Sequence, residues 1–344
     1  MKTTGNFILK IFELLKSDPK ISIAKYLISS GLILVVGFGN LSYKFREHTF
    51  TYSDEADFIG YIFLVVGFIL LIHSYFTIKN NAVSLAYGKG IENMDIHSPI
   101  KAVPKYERFD CIEINLEKIN SYNKIVVIED YILNQKLLKN RMLNKNSKKI
   151  YVGALGSFPY LFLLGSLFRN AYLNVEVLDF NRHQNGGKWY KLPLSYVGEK
   201  VITHKAVSSS NKSISEMIND FNDNENNEVS IALGYTFSTN KNAIPEALKD
   251  NTLFLETSLG TGHDILSSEE VQSELLKELS KYMASLWNEH NKIHLFVSAQ
   301  SSMCINIGKM YMNNAHGILV LHNYDNNSST YNWSIEFDRG TIKS

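Results

Sequence analysis

Two short stretches carry the residue types that could hold an anion. Ile150 to Gly165 (IYVGALGSFPYLFLLG) and Ile293 to Gly308 (IHLFVSAQSSMCINIG) align end to end without a gap, Ile150 on Ile293 and Gly165 on Gly308. Each reads as an apolar strand, a turn of small or polar residues, and a helix. A strand entering a helix through such a turn presents free backbone N–H groups and the positive end of the helix dipole, an arrangement that suits phosphate. The turns are Gly156, Ser157 and Phe158 in the first copy and Ala299, Gln300, Ser301 and Ser302 in the second. Ligands of open α/β sheets collect beyond the carboxyl ends of the strands. Two such units side by side would therefore aim both turns into one cleft, shaped for a compact ligand with pseudosymmetric phosphates. The loops after the second strands add Asn181, Arg182, His183 and Trp189 on one side, and Asn323, Tyr324 and Asp325 on the other. Arg182 can clamp a phosphate and aromatic rings can stack on bases, although Trp189 suits a core equally well.

Motifs for the common reactions are missing: the chain has no GxxxxGK[ST], HExxH or GxSxG. Gly260-Thr261-Gly262 lacks a third glycine and leads into a loop. His290 and His294 are four apart, but the second begins a strand and no third ligand is near, so no metal is expected. Cys111 and Cys304 stand far apart without patterned partners, which argues against a zinc knuckle or CxxC site and fits a reducing compartment.

The elements that must position the turns are legible from pattern. The same register carries Val175–Leu178 (VEVL) onto Ile318–Leu321 (ILVL), so the chain reads as a duplicated βαβ unit. Further strands are expected at Val229–Leu233 and Leu253–Glu256, each running into a polar loop, Tyr235–Asn240 and Thr257–Asp264. A long helix from Ser267 to His290 opens on a Ser267/Glu270 capping box and buries Leu275, Leu279, Met283 and Leu286. Another helix, Lys124 to Met142, braces the sensor. Lys79 to Pro104, with Gly88, Gly90, Pro99 and Pro104, reads as a linker.

Ahead of all this come two uncharged apolar runs, Tyr26 to Tyr43 and Phe58 to Ile78. At about 1.5 Å per residue the second reaches roughly 31 Å, the thickness of a bilayer's hydrocarbon core. Lysines dominate the flanks before the first run and after the second, whereas acids dominate between them, so both termini are predicted to face the cytoplasm. Phe7 to Leu15, interrupted by Lys10 and Glu13, reads as an amphipathic helix lying along the inner leaflet or packing on a neighbouring subunit. The expected organisation is an amphipathic segment over 1–20, a transmembrane hairpin over 21–79, linker and bracing helices over 80–145, and a sensor over 146–344 with units at about 146–200 and 228–344.

Composition bounds the function. The 344 residues are 45% hydrophobic and hold 35 Lys plus Arg against 34 Asp plus Glu. A sizeable core is expected, and a protein that grips long nucleic acid through a basic surface is not.

The stretch KIHLFVSAQSSMCINIGKMYMNNAHGILVLHNYDNNSSTYNWSIEF resembles the end of a SAVED domain, with its strand, small-residue turn, glycine-bearing helix, further strand with an aromatic near Asp, and last strand after Tyr331. The likeness covers about Lys148 to Phe337. Together with the hairpin it makes the chain similar to the two-transmembrane SAVED effectors of bacterial CBASS antiphage systems. That resemblance implies an α/β fold of two fused CARF-like Rossmann units behind a membrane hairpin. It also implies a non-enzymatic receptor for a cyclic di- or trinucleotide made by a partner nucleotidyltransferase (CD-NTase), whose binding drives self-association and disruption of the bacterial inner membrane in abortive infection. The alternative is a membrane-tethered enzyme on a nucleotide or phosphoester, for example one degrading its own signal, with His183 or His204 as the acid or base.

Overall fold

The computed structural model describes residues 19–37, 43–45, 48–50, 54–80, 83–89, 98–105, 107–108, 111–118, 120–143, 149–169, 174–181, 187–195, 201–207, 212–223, 227–263, 265–287, 290, 292–312 and 316–343. The amphipathic helix expected at the start lies outside them. Two compact units are present, Met1–Val83 with Pro104–Ile112, and Ser84–Val103 with Glu113–Ser344.

In the first unit, α1 (Pro19–Gly37) and α2 (Asp54–Asn80) pack against each other, and a short antiparallel ladder of β1 (Tyr43–Phe45) and β2 (His48–Phe50) lies between them in sequence. Glycines let the backbones meet. A Cβ on Gly31 would lie 2.7 Å from the Gly60 carbonyl oxygen, and one on Gly67 would lie 2.6 Å from an Ile28 side-chain carbon. Gly60 and Gly67 are two helical turns apart and so share a face. Ser29 donates its hydroxyl to the Lys25 carbonyl at 2.8 Å. Ile23, Ile33, Phe58, Val65, Ile69 and Ile72 are each more than half exposed. Among the described residues, however, no helix is long and apolar enough to cross a membrane, where the sequence predicts two spans. The side chains described in this pair are those of 23–35 and 58–73.

The second unit is built on two sheets. The five-stranded sheet runs β4-β3-β5-β6-β7, from β3 (Val83–Lys89), β4 (Ile112–Lys118), β5 (Lys149–Leu155), β6 (Asn174–Asn181) and β7 (Lys188–Lys191). The segment expected as a linker therefore supplies strand β3. Its Val83, Ser84, Leu85 and Ala86 are buried, and the apolar run is short enough to be hidden by the flanking glycines that suggested a loop. Strand β4 likewise interrupts a region read as mostly helical. The seven-stranded sheet runs β14-β13-β12-β11-β9-β10-β8, from β8 (His204–Ala206), β9 (Glu228–Gly234), β10 (Thr252–Thr257), β11 (Lys292–Ser298), β12 (Ile318–Asp325), β13 (Thr330–Asp338) and β14 (Thr341–Lys343). Its centre, β10-β9-β11-β12, is parallel, and its edges are antiparallel. Helices α3 (Lys124–Leu143), α4 (Phe158–Ser166), α5 (Ile214–Asn222), α6 (Glu246–Lys249), α7 (Glu269–Trp287) and α8 (Ser301–Met310) pack around them. The cap of α7 falls one residue later than expected, because Ser268 Oγ accepts from the Val271 N–H at 3.2 Å.

The duplication is visible strand for strand. β5 and β11 start in the same register of the alignment, as do α4 and α8, and β6 and β12 follow, each parallel to its predecessor and each continued by an antiparallel strand. The two helices join the copies. Every residue of α4 is buried, so this helix is apolar all round and belongs in an interior. It lies against α8 and against β12 of the second copy, while α8 lies against β5 and β6 of the first. At the crossing, a Cβ on Gly165 would collide with the Ile305 carbonyl oxygen, and one on Gly308 would collide with that of Phe162. Gly165 and Gly308 occupy the same position in the two copies, and so do Phe162 and Ile305, so the contact is reciprocal, as at a two-fold interface. Phe162 continues into an aromatic cluster with Phe337 at 5.5 Å and Tyr311 at 6.2 Å.

Gly165→Ala and Gly308→Ala should each destabilise the sensor by at least about 2 kcal/mol, because a backbone carbonyl cannot step aside. Gly262→Ala, whose Cβ meets nothing nearer than 3.5 Å, should stay within about 0.5 kcal/mol. Denaturant unfolding of the three variants distinguishes them, and equal stabilities would contradict the reciprocal contact.

Candidate functional site

Both copies direct the carboxyl ends of their first strands towards one cleft. It is open to solvent, about 700 Å³ with its mouth included, and lined by Leu155, Asp179, Phe180, Asn181 and Tyr190 from the first copy. From the second half come Thr236, Phe237, His263, Ala299, Gln300 and Ser301. A volume of this order falls in the range of small-molecule sites, about 300–1,000 Å³.

Of the turn residues singled out from sequence, Ala299, Gln300 and Ser301 line this cleft. Ser302 lies just beneath it, fully buried. Gly156, Ser157 and Phe158 follow Leu155 but do not line the cleft themselves. Ser157 donates its N–H to Ser121 Oγ (2.9 Å) and its hydroxyl to the Ser121 carbonyl (2.5 Å). Phe158 packs edge-on to Phe162 at 6.0 Å. Trp189 is buried between Phe180, at 5.1 Å, and the backbone of Gly153, and so takes the core position. Tyr324 sits on Tyr331 at 5.2 Å, away from the cleft lining. Arg182 and His183 lie outside the described residues.

The sequence reading missed Asp179, which changes the electrostatics of the second turn. Its carboxyl accepts from the Ser302 hydroxyl and the Ser302 N–H at the start of α8, from the Phe180 N–H, and from Tyr190 Oη at 3.2 Å. A helix N-terminus offered to an outside anion is thus met by an anion of the same chain. Burial pushes the Asp179 carboxyl up despite these donors. The network continues inward: Gln272 Nε2 donates to Ser302 Oγ at 2.8 Å, and Asn306 Nδ2 donates to Gln272 Oε1 at 2.9 Å. Asp179 ends an otherwise apolar strand, so only the burial of that strand end could have marked it.

The second wall of the cleft is made by loops whose anchors are well defined. The Ser298 carbonyl accepts from the N–H groups of Tyr235 (2.8 Å) and Thr236 (3.0 Å), and the Tyr235 carbonyl accepts from the Gly262 N–H at 2.9 Å. The Tyr235 ring is fully buried, with its hydroxyl 2.7 Å from His204 Nε2, and His204 Nδ1 is 2.9 Å from Glu278 Oε2 on α7. Burial lowers the pKa of His204, with Glu278 opposing, and raises that of Tyr235. A neutral imidazole donating to Glu278 and accepting from Tyr235 satisfies all three groups. His204 is thereby a strut of the loop rather than a base at the cleft. Among the described residues no group of three or more His, Cys, Asp or Glu could hold a metal ion.

A duplicated α/β fold with a cleft shared by its two copies defines a small-molecule sensor rather than a motif-bearing enzyme. Residues 133–337, more than half of the chain, match the family described as "SMODS-associated and fused to various effectors sensor domain", SAVED. The chain belongs to the SAVED family. Among solved structures it is similar to the Acinetobacter baumannii Cap4 SAVED/CARF-domain containing receptor with the cyclic trinucleotide 2'3'3'-cAAA, at 11% identity and a TM-score of 0.47. The same receptor with 3'3'3'-cAAA gives 11% and 0.46, and the receptor described without a ligand gives 14% and 0.44. Each match covers 83% of this chain, which spans 56–57% of the length of those receptors. No curated protein matches the chain.

Four buried histidines make stability depend on pH. Burial holds His204, His294 and His316 below 6.5 and His322, beside His294, at about 3. Each is neutral in the fold, while the unfolded chain takes up protons from about pH 6.5 downward, so this stability is present above 6.5 and lost as pH falls towards the folded values. Asp179, whose carboxyl is raised above 3.8, acts with the opposite sign, gaining stability as pH falls through its folded value. The histidines outnumber it, and Tm should fall on the order of 5 °C between pH 7.5 and pH 5. Scanning calorimetry at the two pH values checks this, and an unchanged Tm would contradict it.

Proposed function

We infer that this chain is a non-enzymatic, membrane-anchored receptor of the two-transmembrane SAVED type. Its cleft binds a cyclic oligonucleotide, and binding drives self-association that lets the hairpin perturb the bacterial inner membrane in antiphage defence. The observation that carries the ligand reading is the cleft itself: in a chain of a sensor-domain family, both copies of one duplicated unit face it, and aromatic rings and amides line it. A ring of repeated nucleotides has the matching pseudosymmetry. The near-neutral charge of the chain, with 35 basic and 34 acidic residues, favours a small ligand over long nucleic acid.

The membrane part of the reading rests on the hairpin. Half-exposed Ile, Val and Phe side chains on two helices held together by glycine contacts are costly in water and ordinary in lipid. The lysine-rich flanks favour both termini in the cytoplasm. Only a differential affinity of a few kcal/mol for the assembled state is needed for a ligand to shift most of the population.

The protein in detergent should show a rise in Tm with at least one member of a panel of cyclic di- and trinucleotides. Ala299→Trp, which fills the cleft from a lining position, should abolish that rise without lowering the ligand-free Tm by more than a few degrees. In dye-loaded liposomes bearing the protein, the same ligand should cause leakage, and it should be recovered intact by chromatography after prolonged incubation. Absence of any thermal shift would contradict the receptor reading, turnover of the ligand would favour an enzyme, and binding without leakage would contradict the membrane output.

A further inference from the structure

Phe237 is 61% exposed although it stands on a firmly held loop. Its two predecessors are tied to the Ser298 carbonyl, Thr236 Oγ1 is 3.0 Å from Ser298 Oγ, and Ser238 Oγ donates to Glu256 at 2.6 Å. The chain doubles back so tightly there that a Cβ on Gly234 would lie 3.0 Å from the Phe237 carbonyl oxygen. The ring stands edge-on to His263, with centroids 5.0 Å apart and planes at 88°, and both residues line the cleft. A phenyl face held rigidly at the rim of a polar cleft is a stacking surface whose ordering cost has already been met in the free protein.

Beside it stands an acceptor with no donor. The side-chain amide nitrogen of Gln300 donates to the His263 carbonyl, which fixes the amide's orientation. Its partner atom, Gln300 Oε1, is buried with no hydrogen bond. A buried carbonyl oxygen left unpaired costs free energy that a ligand N–H would recover. The two observations are independent, and they lie on the same wall of the cleft.

We propose that Phe237, braced by His263, is the stacking platform for one base of the bound ring and that Gln300 Oε1 accepts from that base's exocyclic amino group, so the cleft selects an amino-bearing base at this position. The assignment rests on the cyclic-oligonucleotide reading and adds the edge by which a base is recognised. The aromatic face tolerates any base, whereas the fixed acceptor rejects one that presents a carbonyl oxygen there.

The test uses the full chain in detergent with three probes: cyclic tri-adenylate, the same ring built from unsubstituted purine, and a ring carrying one 2-aminopurine. Affinities come from calorimetry and stacking from quenching of 2-aminopurine fluorescence. The wild type should prefer the adenine ring over the unsubstituted ring by about tenfold or more. F237A should weaken the adenine ring by about tenfold to a hundredfold and relieve the quenching, and F237W should restore both. Q300L should remove the preference for the amino-bearing ring while leaving affinity for the unsubstituted ring within about threefold. Thermal melting of each variant identifies loss of fold, and Q300M gives a second apolar replacement should Q300L unfold. A wild type that binds none of the rings overturns the ligand reading itself. Binding with F237A unchanged overturns the platform, and a preference that survives both Gln300 replacements overturns the base-edge assignment.

Discussion

The reciprocal crossing of α4 and α8 fixes how the two copies of the duplicated unit face each other. Gly165 lies against the Ile305 backbone and Gly308 against that of Phe162, so the helices approach as closely as backbones allow. Any larger residue at either position would push the copies apart. Because each helix also touches the β-strands of the other copy, the crossing sets the distance between the carboxyl ends of β5 and β11, and hence the width of the cleft. Close packing of this kind is stiff, since interiors are as dense as molecular crystals. The cleft walls can therefore be treated as a fixed frame onto which loops are fastened.

The loops are fastened by hydrogen bonds that use up the groups a ligand would otherwise meet. Ser121 takes the Ser157 N–H and hydroxyl, Asp179 takes the Ser302 N–H and hydroxyl, and the Ser298 carbonyl takes two amides from the opposite loop. The chain has spent both helix-start turns on its own rigidity, and recognition falls to side chains standing above them. On this account a ring-shaped polyanion is read through its bases, by stacking and by amide contacts, more than through its phosphates. A buried carboxyl at the floor of the cleft points the same way, because it repels phosphate and suits hydrogen-bond donors.

Much of the scaffold was legible in the amino-acid order. The ungapped match of Ile150–Gly165 with Ile293–Gly308 found both βαβ copies, and the strands at 229–233 and 253–256, the long helix α7 and its apolar face emerged from periodicity alone. Strand β3 was hidden because its buried run, Val83 to Ala86, is short and sits among glycines that also signal turns. The site was harder to read. Sequence pointed to Ala299, Gln300 and Ser301 correctly as cleft-lining positions. It could not tell that Ser157 and Ser302 face inward, since burial there is decided by Ser121 and Asp179, each far upstream of the serine it holds. Trp189 was balanced between roles and was settled by the room above Gly153. Phe237 had a signal in hand, a large apolar residue in a polar loop, whose meaning depends on how firmly that loop is tied.

The most direct measurement of the central claim is hydrogen exchange across the sensor, with and without a cyclic oligonucleotide that binds. Amide exchange is predicted to slow only in residues 178–181, 235–240, 258–263 and 298–302, the segments that surround the cleft, with α5 and the β13–β14 edge unchanged. Protection concentrated on that edge or on α5, with the cleft segments exchanging as before, would place the ligand elsewhere and contradict it.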